Sequence, residues 1–194
     1  MGTITKAEAR RRRPEKDRNI ALLGFMGTGK STVARLLARQ LGRKLVDMDR
    51  VIERRAGKSI ADIFAQDGKP HFRWLERALV QELAARRQLV IACGGGVVLN
   101  PDNIRDLQHG GLVVCLTAAP DVILRRVAAA RHRPLLEGGA KRKKLLALLA
   151  TRQPLYDHLP HRIDTTALTP AAVAKRLLAL AGGRTEPAAK STAY

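Results

Sequence analysis

Eight consecutive residues, Gly24-Phe25-Met26-Gly27-Thr28-Gly29-Lys30-Ser31, have the spacing of a loop that wraps phosphates. Glycines at 24, 27 and 29 let successive backbone N–H groups turn toward one anion. Lys30 reaches the β- and γ-phosphates, and the Ser31 hydroxyl is a magnesium ligand. The apolar run Asn19–Leu23 precedes the loop and an amphipathic stretch over Ser31–Leu41 follows it. Strand, loop and helix are the context this chemistry needs, because the helix N-terminus adds its dipole and open N–H groups. A chance glycine-rich turn is the alternative, and eight fitting residues between a strand and a helix leave it little room. Gly27, Thr28, Gly29, Lys30, Ser31 and Thr32 form the expected nucleotide-contacting set, which implies a nucleoside triphosphate, Mg²⁺ and transfer of the terminal phosphoryl group.

P-loop proteins generally hold magnesium through an acid at the end of a neighbouring strand. Leu112–Leu116 ends in Thr117, and Leu89–Ala92 runs into Cys93-Gly94-Gly95-Gly96, so neither supplies one. Lys44–Asp49 supplies two, Asp47 and Asp49. This argues against ATPase motors and recombinase-like folds, and the lack of an Asn-Lys-x-Asp motif argues against a GTPase. Two residues apart as they leave a strand, Asp47 would face the phosphates and magnesium while Asp49 faces an acceptor. A carboxylate there can orient a hydroxyl and take its proton. The competing role for Asp49 is capping a helix over Arg50–Arg55. Gly94-Gly95-Gly96 either admits a ligand close to the backbone or makes a tight turn. Arg73 and Glu76 lie one helical turn apart, so Glu76 can hold the guanidinium, although a lone pair of this kind is ordinarily a surface ion pair.

A chain of 194 residues at 45% hydrophobic fits one globular domain. Short strands are expected at Asn19–Leu23, Lys44–Val46, Leu89–Ala92, Leu112–Leu116 and Arg162–Asp164. Helices are expected at Ile60–Ala65, Arg73–Ala85, Pro101–His109, Asp121–Ala130, Lys141–Leu149 and Pro170–Ala181. Such alternation implies a parallel sheet covered on both faces, with ligands at the carboxyl ends of its strands. The two cysteines, Cys93 and Cys115, read as buried thiols on neighbouring strands and the five histidines lack metal-ligand spacing. No apolar run approaches the ~20 residues of a membrane span, and no secretory signal is evident; a cytoplasmic protein is expected. The net charge of +19 favours anionic ligands of any kind. Residues 1–18 and 183–194 carry a small part of it, and Lys6–Arg18 and Gly182–Tyr194 read as poorly ordered tails, while Arg125–Lys144 holds eight cations against Glu137 alone.

The combination resembles shikimate kinase, from about Asn19 to Ala181. Beyond the P-loop it is carried by Asp47-Met48-Asp49, Ser59-Ile60-Ala61-Asp62-Ile63-Phe64, Phe72-Arg73-Trp74-Leu75-Glu76, Gly94-Gly95-Gly96, Arg133-Pro134-Leu135-Leu136 and Arg152-Gln153-Pro154-Leu155-Tyr156. The resemblance implies a three-layer α/β/α fold of the nucleoside monophosphate kinase type around a five-stranded parallel sheet. It also implies transfer of the ATP γ-phosphoryl to the 3-hydroxyl of shikimate on the way to aromatic amino acids. By position, Asp49 would contact the acceptor hydroxyls as candidate base, Arg73 and Arg152 would bind the shikimate carboxylate, and Gly94, Gly95 and Gly96 would line its ring. Asp47 would hold magnesium through water. A lid would span about residues 128–140, with Arg133 swinging onto the transferring phosphoryl, Arg126 stacking on adenine and Asp164–Pro170 forming the adenine-side loop. The implied partners are ATP and shikimate, with a monomer and no nucleic-acid or membrane partner expected. Two alternatives stay open: another small-molecule kinase such as a gluconate kinase, and a basic nucleic-acid-binding P-loop protein. Aromatics at 3% leave little for base stacking in the latter.

Overall fold

The computed structural model describes residues 17–129 and 139–182. The expectations for the arm up to residue 16, the tail from residue 183 and most of the lid, Arg133 included, lie outside the described residues. In chain order the elements are β1 (Asn19–Leu23), α1 (Lys30–Leu41), β2 (Lys44–Asp47), α2 (Met48–Ala56), α3 (Ile60–Gln66), α4 (Gly68–Ala85), β3 (Leu89–Ala92), α5 (Pro101–Gly110), β4 (Gly111–Thr117), α6 (Pro120–Ala128), α7 (Gly139–Asp157), β5 (Arg162–Asp164) and α8 (Pro170–Ala181). The five strands pair in the order β2-β3-β1-β4-β5, every pair parallel.

β1 is buried along its whole length because both faces of the sheet are covered. Its alternate residues feed two cores. Ile20 and Leu22 pack with Val33 and Leu37 of α1 and Val173 and Leu177 of α8. Ala21 and Leu23 face the opposite layer, with Leu79 and Leu83 of α4, Leu107 of α5 and Ile123 and Val127 of α6. Parallel pairing leaves the carboxyl ends of β1, β2 and β3 at one edge, and the P-loop, Asp47 and the glycine triplet leave from those ends.

Several boundaries differ from expectation for identifiable reasons. α4 begins five residues before Arg73, with Pro70 in its first turn, where a missing N–H costs nothing. α7 runs on from Leu149 to Asp157 straight through Pro154. A proline inside a helix costs ~3 kcal/mol, and anchoring beyond it offsets this, since Tyr156 and Leu159 are buried in the core. Asp47 closes β2 and α2 starts at Met48, so Asp49 sits in the first helical turn. Cys93 and Cys115 are buried and free, but they flank β1 from either side and are not on neighbouring strands. Asp17 and Arg18 are tied to the body: the Gln88 N–H donates to the Asp17 carbonyl at 3.1 Å, and Arg43 donates to the Arg18 carbonyl at 2.8 Å.

The buried amide of Asn19 joins three segments. Nδ2 donates to the carbonyls of Leu83 and Arg86, each at 3.0 Å, and Oδ1 accepts from the Leu89 N–H at 3.0 Å. The end of α4 is thereby tied to the starts of β1 and β3. Among the described residues no helix is long and apolar enough to cross a membrane.

Candidate active site

The phosphate cradle is built from backbone. Gly27 sits at φ 81°, and a methyl group there would lie 2.8 Å from Val127 Cγ2 and 3.1 Å from the Ile123 carbonyl. Only glycine tolerates both the left-handed conformation and α6 lying on the loop. α1 starts at Lys30 with Gly29 as its cap, no side-chain cap bond and no acid in its first turn. The helices α2, α3, α5 and α8 are capped by Asp47, Ser59, Asn100 and Thr169. α4 and α6 also lack a side-chain cap, and what marks the start of α1 as an anion site is the glycine-rich loop that leads into it. Lys30 Nζ folds back over the loop, donating to the Gly24 and Phe25 carbonyls at 2.8 Å each. The Thr28 hydroxyl is buried and donates to the Phe25 carbonyl at 2.8 Å, so what Thr28 offers a ligand is its main chain. Thr32 is exposed in the first turn of α1.

Ser31 Oγ donates to Asp47 Oδ2 at 3.0 Å across the gap between α1 and β2. The other Asp47 oxygen caps α2, accepting from the Arg50 N–H at 3.4 Å. Capping thus falls to Asp47, and the alternative that made Asp49 the cap is overturned. A hydroxyl and a carboxylate oxygen side by side are hard donors of the kind magnesium prefers. Among the described residues no group of three or more His, Cys, Asp or Glu could hold a metal. A cation at Ser31 and Asp47 would complete its shell with phosphate and water, as Mg²⁺ ordinarily does.

Opposite the P-loop, the glycine triplet gathers the remaining side chains. A methyl on Gly94 would lie 2.7 Å from Asp49 Oδ1 and 3.2 Å from Glu76 Oε1. One on Gly95 would lie 3.7 Å from Arg152 Nη1 and within 4.0 Å of the Gly24 carbonyl and the Met26 N–H nitrogen. One on Gly96 would overlap the Arg73 guanidinium. Residues from α2, α4 and α7 thus converge on three consecutive alpha carbons, beside the P-loop. The triplet also makes a turn, with the Val97 N–H donating to the Gly94 carbonyl at 3.2 Å, but a turn alone does not account for that closeness.

Glu76 is 2% exposed and bonds Arg73 Nη1 at 2.5 Å, so this is no surface pair. The Arg73 guanidinium carbon also lies 5.1 Å from the centre of the Phe72 ring. Burial pushes the Glu76 carboxyl above the ordinary glutamate range; Arg73 pulls it back, Asp49 opposes ionisation and Arg152 favours it. A carboxyl raised in this way binds its proton more tightly folded than unfolded. Its contribution to stability is full below the unfolded value, about 4.3, and is lost as pH rises through the folded value. Glu76→Gln removes that dependence. In thermal melts at pH 4 to 7 the midpoint of the variant should climb relative to the parent as pH rises; a constant offset would refute the assignment.

Arg126 of α6 bridges the P-loop to the turn after β5. It donates to the Thr165 carbonyl at 2.8 Å, to Thr165 Oγ1 at 3.0 Å and, at 3.5 Å, to the Gly27 carbonyl. Thr165 Oγ1 in turn lies 3.2 Å from the Thr28 carbonyl and 2.9 Å from that of Thr117. The guanidinium plane is therefore fixed beside the expected adenine-side loop. Sequence reasoning assigned no side chain in that loop, and buried Thr165 anchors it.

Similarity to known proteins agrees with this geometry. The sequence profile of the family described as Shikimate kinase matches residues 26–181. A shikimate kinase of Pelotomaculum thermopropionicum is 48% identical over 152 residues, covering 78% of this chain and 88% of that protein. One from Thermodesulfovibrio yellowstonii is 40% identical over 161 residues, covering 83% and 93%. The solved structure of shikimate kinase from Acinetobacter baumannii in complex with shikimate superposes with a TM-score of 0.79 at 37% identity, over 89% of this chain and 99% of the other.

Proposed function

This chain belongs to the shikimate kinase family, and from that premise we propose that the P-loop is its donor site and the surroundings of Gly94–Gly96 its acceptor site. The reaction is transfer of the ATP γ-phosphoryl to the 3-hydroxyl of shikimate. The observation that carries the assignment is the convergence of Asp49, Arg152 and Arg73 on three successive glycines, with the P-loop backbone within 4.0 Å of where a methyl on the middle one would lie.

The chemistry divides accordingly. Arg73, held by Glu76, and Arg152 present planar donor forks to the acceptor carboxylate. Gly94–Gly96 let the ring approach the backbone. Asp49, at the start of α2, faces the acceptor hydroxyl, orients it and takes its proton as oxygen attacks phosphorus. Lys30 and the N–H groups at the start of α1 hold the triphosphate and balance charge that shifts to the leaving oxygens. Mg²⁺, held by Ser31 and through water by Asp47, would neutralise phosphate charge. Arg126 offers its fixed face to adenine. Reaction with ATP also fits a cytoplasmic location.

The test is kinetic. In a coupled ADP-release assay Arg152→Ala should raise KM for shikimate by about 10- to 100-fold, the scale of losing a hydrogen-bonded charge. KM for ATP should stay within about twofold. Equal weakening of both substrates would remove Arg152 from the acceptor site.

A further inference from the structure

We infer that Tyr156 is a positioning residue for the acceptor: its hydroxyl holds the Gly95 carbonyl, which releases Arg152 to bind the acceptor carboxylate. The inference rests on the assignment of Arg152 as a carboxylate-binding residue. Both side chains arise from α7, four residues and about one turn apart, so they emerge on one face. Continuation of the helix through Pro154 preserves that register. Both bond the same atom. Tyr156 donates its hydroxyl to the Gly95 carbonyl at 2.8 Å, and Arg152 Nη1 donates to it at 3.1 Å.

A carbonyl has two lone pairs and accommodates both donors. The consequences of losing one differ with which one leaves. Arg152 serves the carboxylate only if its guanidinium can turn from Gly95 without stranding a part-buried acceptor, and an unpaired group of that kind is costly. The phenol keeps the carbonyl satisfied throughout, so the glycine turn holds its shape while the guanidinium exchanges partners. That turn matters because Gly95 lies at the seam between the acceptor side and the P-loop backbone.

The tyrosine is suited to the task. It is 2% exposed, so its ring is locked by packing. Burial pushes its hydroxyl up to about 12, so it keeps its proton and donates across the working pH range. A residue present for packing alone gains nothing from a buried hydroxyl, which is unfavourable unless it is bonded.

Tyr156→Phe keeps the ring and deletes the bond. KM for shikimate is expected to rise by about three- to tenfold, with kcat and KM for ATP within about twofold. In an Arg152→Ala background the same change should move KM for shikimate by less than about twofold, because the exchange it supports is gone. An unchanged KM in the otherwise intact enzyme, an equal rise for both substrates, or full additivity with Arg152→Ala would overturn the inference while leaving the role of Arg152 standing. If Arg152→Ala alone leaves KM for shikimate unchanged, the assignment of Arg152 fails, and this inference with it.

Discussion

Asp49→Asn is expected to lower kcat by about 10²- to 10⁴-fold while the protein stays folded, the range set by loss of a positioned general base. The amide matches the carboxylate in size, so it fits the space that Gly94 leaves against Oδ1, where a methyl would lie at 2.7 Å. Packing at the start of α2 is also undisturbed, because the cap of that helix is Asp47. What disappears is the capacity to accept a proton. Hydrogen bonding to the acceptor hydroxyls is partly retained, so KM for shikimate should change far less than kcat, and that pattern marks an interaction made in the transition state. Single-turnover assays with saturating ATP separate the chemical step from product release. A kcat within tenfold of the parent would show that Asp49 only orients the acceptor.

Asp47 and Asp49 show why a sequence reveals residue types more readily than their division of work. Two acids after a strand were legible, and so was the need for one near magnesium. The reason for their divergence was not. Alternation along a strand suggested it, but the strand ends at Asp47 and the helix begins at once, so the two carboxylates part across a strand-to-helix turn. A cap is also easily misassigned, because Asp47 and Asp49 both precede plausible helical residues and only the bond to the Arg50 N–H distinguishes them.

The same limit applies to contacts between distant segments. The sheet and most strands were legible from short apolar runs, since burial on both faces leaves an unbroken hydrophobic signal. The P-loop was legible because its function constrains consecutive residues. Convergence of Arg73, Arg152 and Asp49 on the triplet joins α4, α7 and α2, and no local pattern encodes it. Family resemblance supplied that expectation where spacing did not. Tyr156 was missed for a more specific reason. Pro154 disguises α7 after Leu149, so the four-residue spacing of Arg152 and Tyr156 did not read as one helical face. Asn19 was hidden by its place in an apolar strand, where a buried amide gives no sign of its three partners.

Lys30→Ala should lower kcat by at least about 10²- to 10³-fold, the scale of removing one preorganised charge-stabilising donor. In this structure the ammonium group closes the loop on itself through the Gly24 and Phe25 carbonyls. A triphosphate offers it a stronger partner, so binding exchanges two neutral acceptors for an anion. Alanine removes the charge in both states. The loop keeps other supports, because the Thr28 hydroxyl still bonds the Phe25 carbonyl and α6 still packs on Gly27. The thermal midpoint should therefore move by only a few degrees, about what loss of one or two partly exposed hydrogen bonds produces. Circular dichroism melts beside ADP-release kinetics read both quantities. A collapse of the midpoint would make Lys30 chiefly a structural clasp, and a kcat within tenfold of the parent would remove it from charge stabilisation. Lys30→Arg sharpens the comparison: it keeps the charge but presents a planar, longer head. Partial recovery of kcat over alanine is expected, because charge is restored, while activity stays below the parent, because the compact ammonium that fits between the Gly24 and Phe25 carbonyls is not.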